Sequence, residues 1–361
     1  MKPRNVAIAC GVAGVAVGLA AATGIVYRKQ IKSAASLKRL TDYADGYDLY
    51  AIDIAYDYDL DRIIAADVRD DQAYIDAVLA QVLPGVPAHV QAPQFACSAF
   101  AAVDAEGRVR TGRNYDFKDD TSALLVRNQP RDGYASIGFA ALNNLGANAP
   151  LDSVAGRAAA LMGPFAQLDG VNECGVSIAV LTLDSKPCDQ DTQRPVINTS
   201  LAIRLVLDRA ATTQEAVDLL SAYDMHAMAG RDYHFFINDA AGDARVVEWD
   251  PRDPERACRA TPVRQVTNFY ACYEDEVLPN QKNGELGHGK ERALAIADVL
   301  DAHTGAQDEV VAWNALRAAA QEPNPEDITS NTQWSVVFDN TEPAAAITLR
   351  RHWGDVDAFA L

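Results

Sequence analysis

No Cys-x-x-Cys pair occurs among the six cysteines, at positions 10, 97, 174, 188, 258 and 272, so zinc ribbons and thioredoxin-type redox chemistry are excluded. Six in 361 residues are also too sparse for a disulfide scaffold. Basic residues are in deficit: 32 Lys and Arg against 50 Asp and Glu leave a net charge of −18. Such a chain does not attract phosphate backbones, and no nucleic-acid partner is expected. Internal repeats and low-complexity tracts are missing, and so is the loop spacing of an EF-hand. No cofactor and no metal is expected. What is present is apolar residues, at 49% of the chain, enough to bury the core of one large domain or two.

From Asn5 to Tyr27 no charge occurs, while Lys2 and Arg4 precede the run and Arg28, Lys29 and Lys32 follow it. As a helix it would be roughly 35 Å long, enough to cross a hydrocarbon core. A cleaved signal peptide is the rival, with Ala20-Ala21-Ala22 as a small-residue cleavage site. The run is long for a signal peptide, so residues 5–27 read as an uncleaved anchor. Gly14-x-x-x-Gly18 in so Gly- and Ala-rich a stretch is mostly compositional, and Cys10 lies too early for lipidation. Flanking charge does not settle orientation. The expectation is a membrane-anchored protein with its catalytic part outside the cytoplasm, or a secreted one if the segment is removed.

Residues 33–72 are rich in Asp and Tyr and read as a solvated acidic face with a short strand near Leu49–Tyr56. Asp71–Leu83 reads as a helix with Tyr74, Ile75, Val78, Leu79 and Val82 on one stripe, stopped by Pro84-Gly85. Residues 84–95 hold three prolines and read as a linker. Beyond them short strands dominate: 98–103, 108–117, 136–141, 176–183, 233–238, 244–248, 264–268, 335–339 and 346–350. Two helical stretches interrupt them, 201–211 running into a helix opened by the capping box Thr212-Thr-Gln-Glu215, and 291–303. Segregated runs of strands and helices indicate α+β or layered α/β, not a nucleotide-binding alternation.

The informative stretch runs from Cys97 to Asp116. Asp104-Ala-Glu-Gly107 is a hairpin turn, and pairing about it places Cys97 opposite Arg113 or Asn114, with Asp116 just past the same end. A thiol, a guanidinium and a carboxylate are thereby gathered, and an arginine beside a thiol favours the thiolate. Arg113 is expected to matter to chemistry more than to folding. A lone buried Cys is more often a small hydrophobe. None of the six histidines has a recognisable papain-like context.

With these residues the chain resembles the linear amide C–N hydrolases, the choloylglycine hydrolase and penicillin V acylase family of N-terminal nucleophile hydrolases. The marks are Cys97-Ser-x-Phe, Gly112-Arg113-Asn114-x-Asp116, Asp169-Gly-Val-Asn172-Glu-x-Gly175, His234-Phe-Phe-Ile-x-Asp with Gly242 after it, Val266-Thr-Asn268 and Thr332-Gln-Trp-Ser335, in order across residues 97–350. The resemblance implies a four-layer αββα sandwich and cleavage between Ala96 and Cys97. The freed α-amine then acts as base for its own thiol. It implies a division into an anchor (5–27), a pro-segment (28–96) and a catalytic domain (97–361). Cys97 becomes the nucleophile, Arg113 and Asp116 assist it, Asn268 helps form an oxyanion hole, and Arg292 is a second active-site arginine. Where bile-salt hydrolases carry an asparagine this chain has Thr182, which leaves the second oxyanion donor open; Asn172 and Glu173 read as turn formers.

The activity implied is hydrolysis of a linear, non-peptide amide through a thioester. The acyl group stays open among bile-salt conjugates, penicillin V, N-acyl homoserine lactones and long-chain N-acylethanolamines. Expected partners are a small acyl-amine substrate and the membrane; monomer and oligomer are both left open. Loops 118–135, 142–165 and 270–290 would shape the pocket, with Leu142, Leu145, Leu161, Met162 and Phe165 as acyl-pocket or simple packing residues. The alternative is a catalytically decayed, membrane-anchored binding protein.

Overall fold

A computed structural model describes residues 27–84, 96–145, 151, 153–282, 284–324 and 331–361. The chain opens with helix α1 (Arg28–Ser36), strands β1 (Lys38–Arg39) and β2 (Leu49–Ile54), and helices α2 (Leu60–Ile64) and α3 (Asp71–Val82). Strands β3 (Ala96–Val103), β4 (Val109–Asp116), β5 (Ala123–Asn128) and β6 (Ser136–Ala141) follow, then helix α4 (Val154–Ala160), β7 (Gln167–Asn172), β8 (Ser177–Leu183) and β9 (Val196–Asn198). Next come helices α5 (Thr199–Arg209) and α6 (Thr213–Ser221), then β10 (Asp224–His226), β11 (Asp232–Asn238), β12 (Ala244–Trp249), β13 (Cys258–Pro262) and β14 (Gln265–Val266). The chain closes with α7 (Lys290–Ala302), α8 (Glu309–Ala319), β15 (Thr332–Asp339), β16 (Ala344–Leu349) and β17 (Asp357–Ala360).

These strands make a nine-stranded sheet, in the order β1-β2-β5-β6-β7-β8-β11-β12-β13, and a six-stranded sheet, β14-β3-β4-β15-β16-β17. The sheets face each other where β3 meets β8 and β11. Helices α5 and α6 cover the outer face of the larger sheet, and α7 and α8 that of the smaller, giving the four layers expected. Strand β3 shows how the sequence enforces this. Its odd positions Cys97, Ala99 and Ala101 join the core between the sheets, while Phe100 and Ala102 join a separate cluster with Ile296 and Leu300 of α7 and Leu316 of α8. Gly112, opposite Phe100, leaves room for its ring: a Cβ there would lie 2.2 Å from the Phe100 ring.

Several expectations change. Residues 118–135 are not one loop, since β5 runs through them; its centre, Ala-Leu-Leu-Val, is buried on both faces and shows no alternation to read. Strands β7 and β13 and helix α8 are additional to the elements expected, and the strand expected over 264–268 shrinks to Gln265–Val266. Thr212 caps α6 by accepting from the Glu215 N–H, but Glu215 reaches Ala211 N–H and not Thr212, so the capping box is half formed. The acidic face of residues 33–72 is not wholly solvated: Asp48 is fully buried and accepts hydrogen bonds from Arg39, Thr41 and the Tyr43 N–H.

The chain before Cys97 is part of the larger sheet. Strand β2 pairs in parallel with β5 along its whole length, from Leu49 opposite Ala123 to Ile54 opposite Asn128. Helix α3 buries all five residues of the expected stripe. Residues 5–26 of the expected anchor, with Cys10 and Gly14-x-x-x-Gly18, lie outside the described residues, as do residues 85–95 of the expected linker. Among the described residues no helix is long and apolar enough to cross a membrane.

Candidate active site

The hairpin register is Cys97 opposite Tyr115, Ser98 opposite Asn114 and Ala99 opposite Arg113. The sequence expectation of Cys97 facing Arg113 or Asn114 is therefore off by one to two residues, because the turn is one residue wider than assumed and Val103 pairs with Val109. Arg113 still reaches the thiol diagonally: its Nη2 lies 3.4 Å from Cys97 Sγ and 3.1 Å from the Val180 carbonyl.

Arg113 and Asp116 do not pair. Three residues apart on one strand, they point to opposite faces of β4. On the inner face, Arg113 Nε sits 3.1 Å from Asp169, both side chains fully buried. The Arg113 guanidinium also stands over the rings of Tyr115 and Trp334. Burial pushes the Asp169 carboxyl up to about 6, opposed by Arg113 and by hydrogen bonds from Trp334 Nε1 and the Phe139 N–H. On the outer face, Asp116 meets Arg292, whose Nη1 is 3.3 Å away. Thr332 Oγ1 at 2.6 Å and Gln321 Nε2 at 2.7 Å donate to the same carboxylate. Burial raises the Asp116 pKa, with Arg292 pulling the other way.

Arg292 binds the backbone of Cys97. Its Nη1 donates to the Cys97 carbonyl at 2.9 Å, and its Nη2 to Asn268 Oδ1 at 2.7 Å. That Oδ1 also accepts the Cys97 N–H at 2.9 Å. Two donors on one atom fix the amide orientation of Asn268, so Nδ2 points the other way. One Nδ2 hydrogen goes to the Thr182 carbonyl at 2.8 Å, and the second N–H has no acceptor among the described residues. Gly289 opens α7 with φ +83, and a Cβ there would lie 2.4 Å from Arg292 Nη2, so its lack of a side chain is what admits the guanidinium. Thr182 takes part through its carbonyl; its hydroxyl is buried without a hydrogen-bond partner among the described residues.

Cys97 itself is completely buried, and desolvation pushes its thiol up to about 12 against the pull of Arg113. The five described cysteines are all free. Asn172 and Glu173 are turn formers as expected: Asn172 Nδ2 holds the Leu207 and Ala210 carbonyls, Oδ1 accepts the Cys174 and Val176 N–H, and Glu173 takes the Ala135 N–H.

Two buried pairs escape a reading by residue type. Asp169 opens a motif visible in the sequence, yet nothing there marks it as the partner of Arg113. His234, also in a motif, lies 3.0 Å through Nε2 from the Thr267 carbonyl, next to Asn268, and 3.3 Å through Nδ1 from Glu248. A carbonyl only accepts, so Nε2 carries a proton. Glu248 takes the Ala271 and Cys272 N–H as well, and the pair braces the backbone that presents Asn268.

The sequence profile of the acyl-coenzyme A:6-aminopenicillanic acid acyl-transferase family matches residues 103–352, more than two thirds of the chain and including Arg113, Asp116, Asn268 and Arg292. The chain belongs to this family. Membership makes it an enzyme, of the class acting on carbon–nitrogen bonds other than peptide bonds, in linear amides. Solved structures share the fold. A mutant of the conjugated bile acid hydrolase from Clostridium perfringens superposes with a TM-score of 0.56 at 15% identity, covering 73% of this chain and 92% of that one. The penicillin V acylase from Agrobacterium tumefaciens gives 0.53 at 20% identity, over 73% and 86%. No curated protein matches the chain by sequence.

Proposed function

We propose that this family member is an amidohydrolase that cleaves a linear, non-peptide amide through a thioester on Cys97, after its own chain is cut between Ala96 and Cys97. The observation that carries this reading is the grip on Cys97. Arg113 stands at Sγ, Asn268 holds the N–H that would become the α-amine, and Arg292 holds the carbonyl.

In the cut, Sγ attacks the Ala96 carbonyl carbon, and the C–N bond breaks as the Cys97 nitrogen takes the thiol proton. Water then hydrolyses the thioester, leaving a free amine on Cys97 and a carboxylate on Ala96. In turnover that amine takes the Sγ proton as the thiolate attacks the substrate amide. The tetrahedral oxyanion is met by the remaining Asn268 Nδ2–H, a kind of donor worth about 10²–10³ in rate. The amine returns its proton to the leaving nitrogen, and water releases the acid. Arg113 favours the thiolate, while Asp116 acts through Arg292, holding the guanidinium that orients Cys97 and Asn268.

The rival reading, a decayed membrane-anchored binding protein, has no observation in its favour, since all five residues are present and connected. Residues 5–27 are taken as the anchor on the strength of their uncharged run between basic flanks, with the catalytic part outside the cytoplasm. Intact-mass analysis of active protein tests the core of this reading, alongside amine release from bile conjugates, penicillin V and fatty amides. A catalytic chain starting at Cys97 and turnover of at least one linear amide are expected. Full activity from an uncut chain overturns it.

A further inference from the structure

The two shortest contacts of Asp116 come from residues far off in the sequence, Thr332 and Gln321. Those two residues are themselves paired. The Gln321 N–H donates to Thr332 Oγ1 at 2.8 Å, and the Thr332 N–H donates to the Gln321 carbonyl at 2.9 Å. A single guanidinium nitrogen gathers the pair. Arg351 Nη1 lies 3.0 Å from each of three oxygens, the Gln321 carbonyl, the Thr332 carbonyl and Asn331 Oδ1. Arg351 Nε stands 3.2 Å from the Glu322 carboxylate. Two hydrogens on Nη1 serve three acceptors, so the direction of the planar fork matters as much as its charge.

Arg351 is delivered by an unusual turn. Between β16 and β17, Arg350 and Arg351 are consecutive residues with φ of +39° and +62°, the left-handed region that a Cβ disfavours. Such a conformation persists only where the surroundings over-determine it. Here the Arg350 N–H donates to the Gln333 carbonyl and the His352 N–H to the Leu349 carbonyl, both at 2.8 Å. The Arg350 side chain is clamped from a distant part of the chain. Its Nε and Nη2 donate to the Asp45 carboxylate at 3.1 and 2.9 Å, and its guanidinium stands 5.3 and 5.7 Å from the ring centres of Tyr43 and Tyr47. Tyr43 also stacks on His352, with centroids 4.5 Å apart. One residue of the turn is thus gripped by residues 43–47, and the next grips the two residues that hold Asp116.

We propose that Arg351 is a positioning residue for the active site. It acts through Gln321 and Thr332 on Asp116, and through Asp116 on the Arg292 guanidinium that holds the Cys97 carbonyl and Asn268. The Tyr43–Asp45–Tyr47 clamp on Arg350 keeps the turn in the form that presents Arg351. On the amidohydrolase reading, on which this inference rests, the contribution is geometric: a displacement of about 1 Å in a catalytic group costs up to about 100-fold in rate.

The test measures kcat, KM and thermal stability on the best substrate of a panel of penicillin V, bile conjugates and fatty amides. Arg351→Met should lower kcat about 10–100-fold with KM little changed. Arg351→Lys keeps the charge but cannot meet the three oxygens together, and should lose nearly as much. Asp45→Asn, on the exposed side of the clamp, should fold and show a smaller loss of the same kind. Thr332→Val cuts the link to Asp116, so adding Arg351→Met to it should cost no more than the larger single change, whereas independent roles would multiply. Wild-type kcat in folded Arg351→Met or Arg351→Lys, multiplied losses in the double variant, or losses that vanish on cooling along with a stability defect would each overturn the proposal. Should Arg351→Met fail to fold, Arg351→Lys decides; wild-type kcat in Asp45→Asn removes the clamp. If the wild-type enzyme cleaves no linear amide of any class, the amidohydrolase reading fails and this proposal falls with it; if wild type and variants cleave one equally fast, the positioning role alone fails.

Discussion

Replacing Arg113 separates two roles that the structure superimposes on one side chain. Arg113→Met removes the cation beside Cys97 Sγ and also leaves Asp169 as a buried carboxylate without its ion-pair partner. Breaking one side of a buried pair costs about 3–5 kcal/mol, so the single variant should lose much of its stability at neutral pH. The buried pair with Asp169 thus adds a structural role to the chemical one expected of Arg113. The pH dependence identifies the cause. Asp169 titrates near 6 in the fold against 3.8 ordinarily, so its ionisation already opposes folding, with a cost that grows as pH rises from about 4 through 6. Without Arg113 the folded value rises further, each unit adding about 1.4 kcal/mol above it. Arg113→Met should therefore differ most from wild type at pH 8 and much less at pH 5, where Asp169 is protonated in both. Adding Asp169→Asn should restore most of the stability at pH 8, as read by urea unfolding. It should not restore hydrolysis, because an adjacent cation is worth about 1–3 pKa units to the thiol, or roughly 10–10³ in rate. If the double variant regains activity along with stability, Arg113 is a structural partner of Asp169 and nothing more.

Cys97→Ser should fold, yet lose amide hydrolysis by several orders of magnitude, since a hydroxyl must be deprotonated during attack. Ser substitutions at Cys174, Cys188, Cys258 and Cys272 should leave turnover within a few-fold; inactivation by iodoacetamide at one of them with Cys97 unmodified would sink the nucleophile assignment. Arg292→Lys keeps the charge but not the fork that spans the Cys97 carbonyl and Asn268 Oδ1. It should slow the cut before Cys97, visible as uncut chain by mass; full processing at the wild-type rate contradicts the role. His234→Gln can still donate to the Thr267 carbonyl but cannot pair with Glu248, and kcat should fall about 10–100-fold with KM little changed. A loss confined to thermal stability would reduce His234 to a core group.

What could be read from the sequence was whatever short range dictates. The stripe of α3 follows from helical spacing, and the meeting of Cys97 with Arg113 follows from a turn and period-two geometry. The αββα layering was implied by family motifs, not by periodicity: β5 is buried from Ala123 to Val126 and β7 along its whole length, so neither shows an exposed face to read. Long-range partners were the least legible. Asp169 and Arg113 are both plain in the sequence, yet a separation of 56 positions hides a contact made across the two sheets. The same holds for Arg292, which α7 delivers to Asp116 from the opposite side of the small sheet.

On the proposed reading the intact chain precedes a cut before Cys97, and its chemistry would be self-limiting. The only group proposed as base is still an amide N–H, donating to Asn268 Oδ1 and unable to take a proton. The thiol it would serve is desolvated to a pKa of about 12. On that reading cleavage supplies the base: the nitrogen stays where Asn268 holds it but becomes an amine, whose ordinary pKa is about 7.7–8.0. Asn268 Oδ1 can then accept from that amine while Nδ2 keeps its bond to Thr182, so no large rearrangement of the site is required. On this reading the contacts that position Cys97 for self-cleavage are the contacts that later position it for substrate: Arg292 and Asn268 grip its backbone, while Arg113 and the Asp116 N–H address its sulfur.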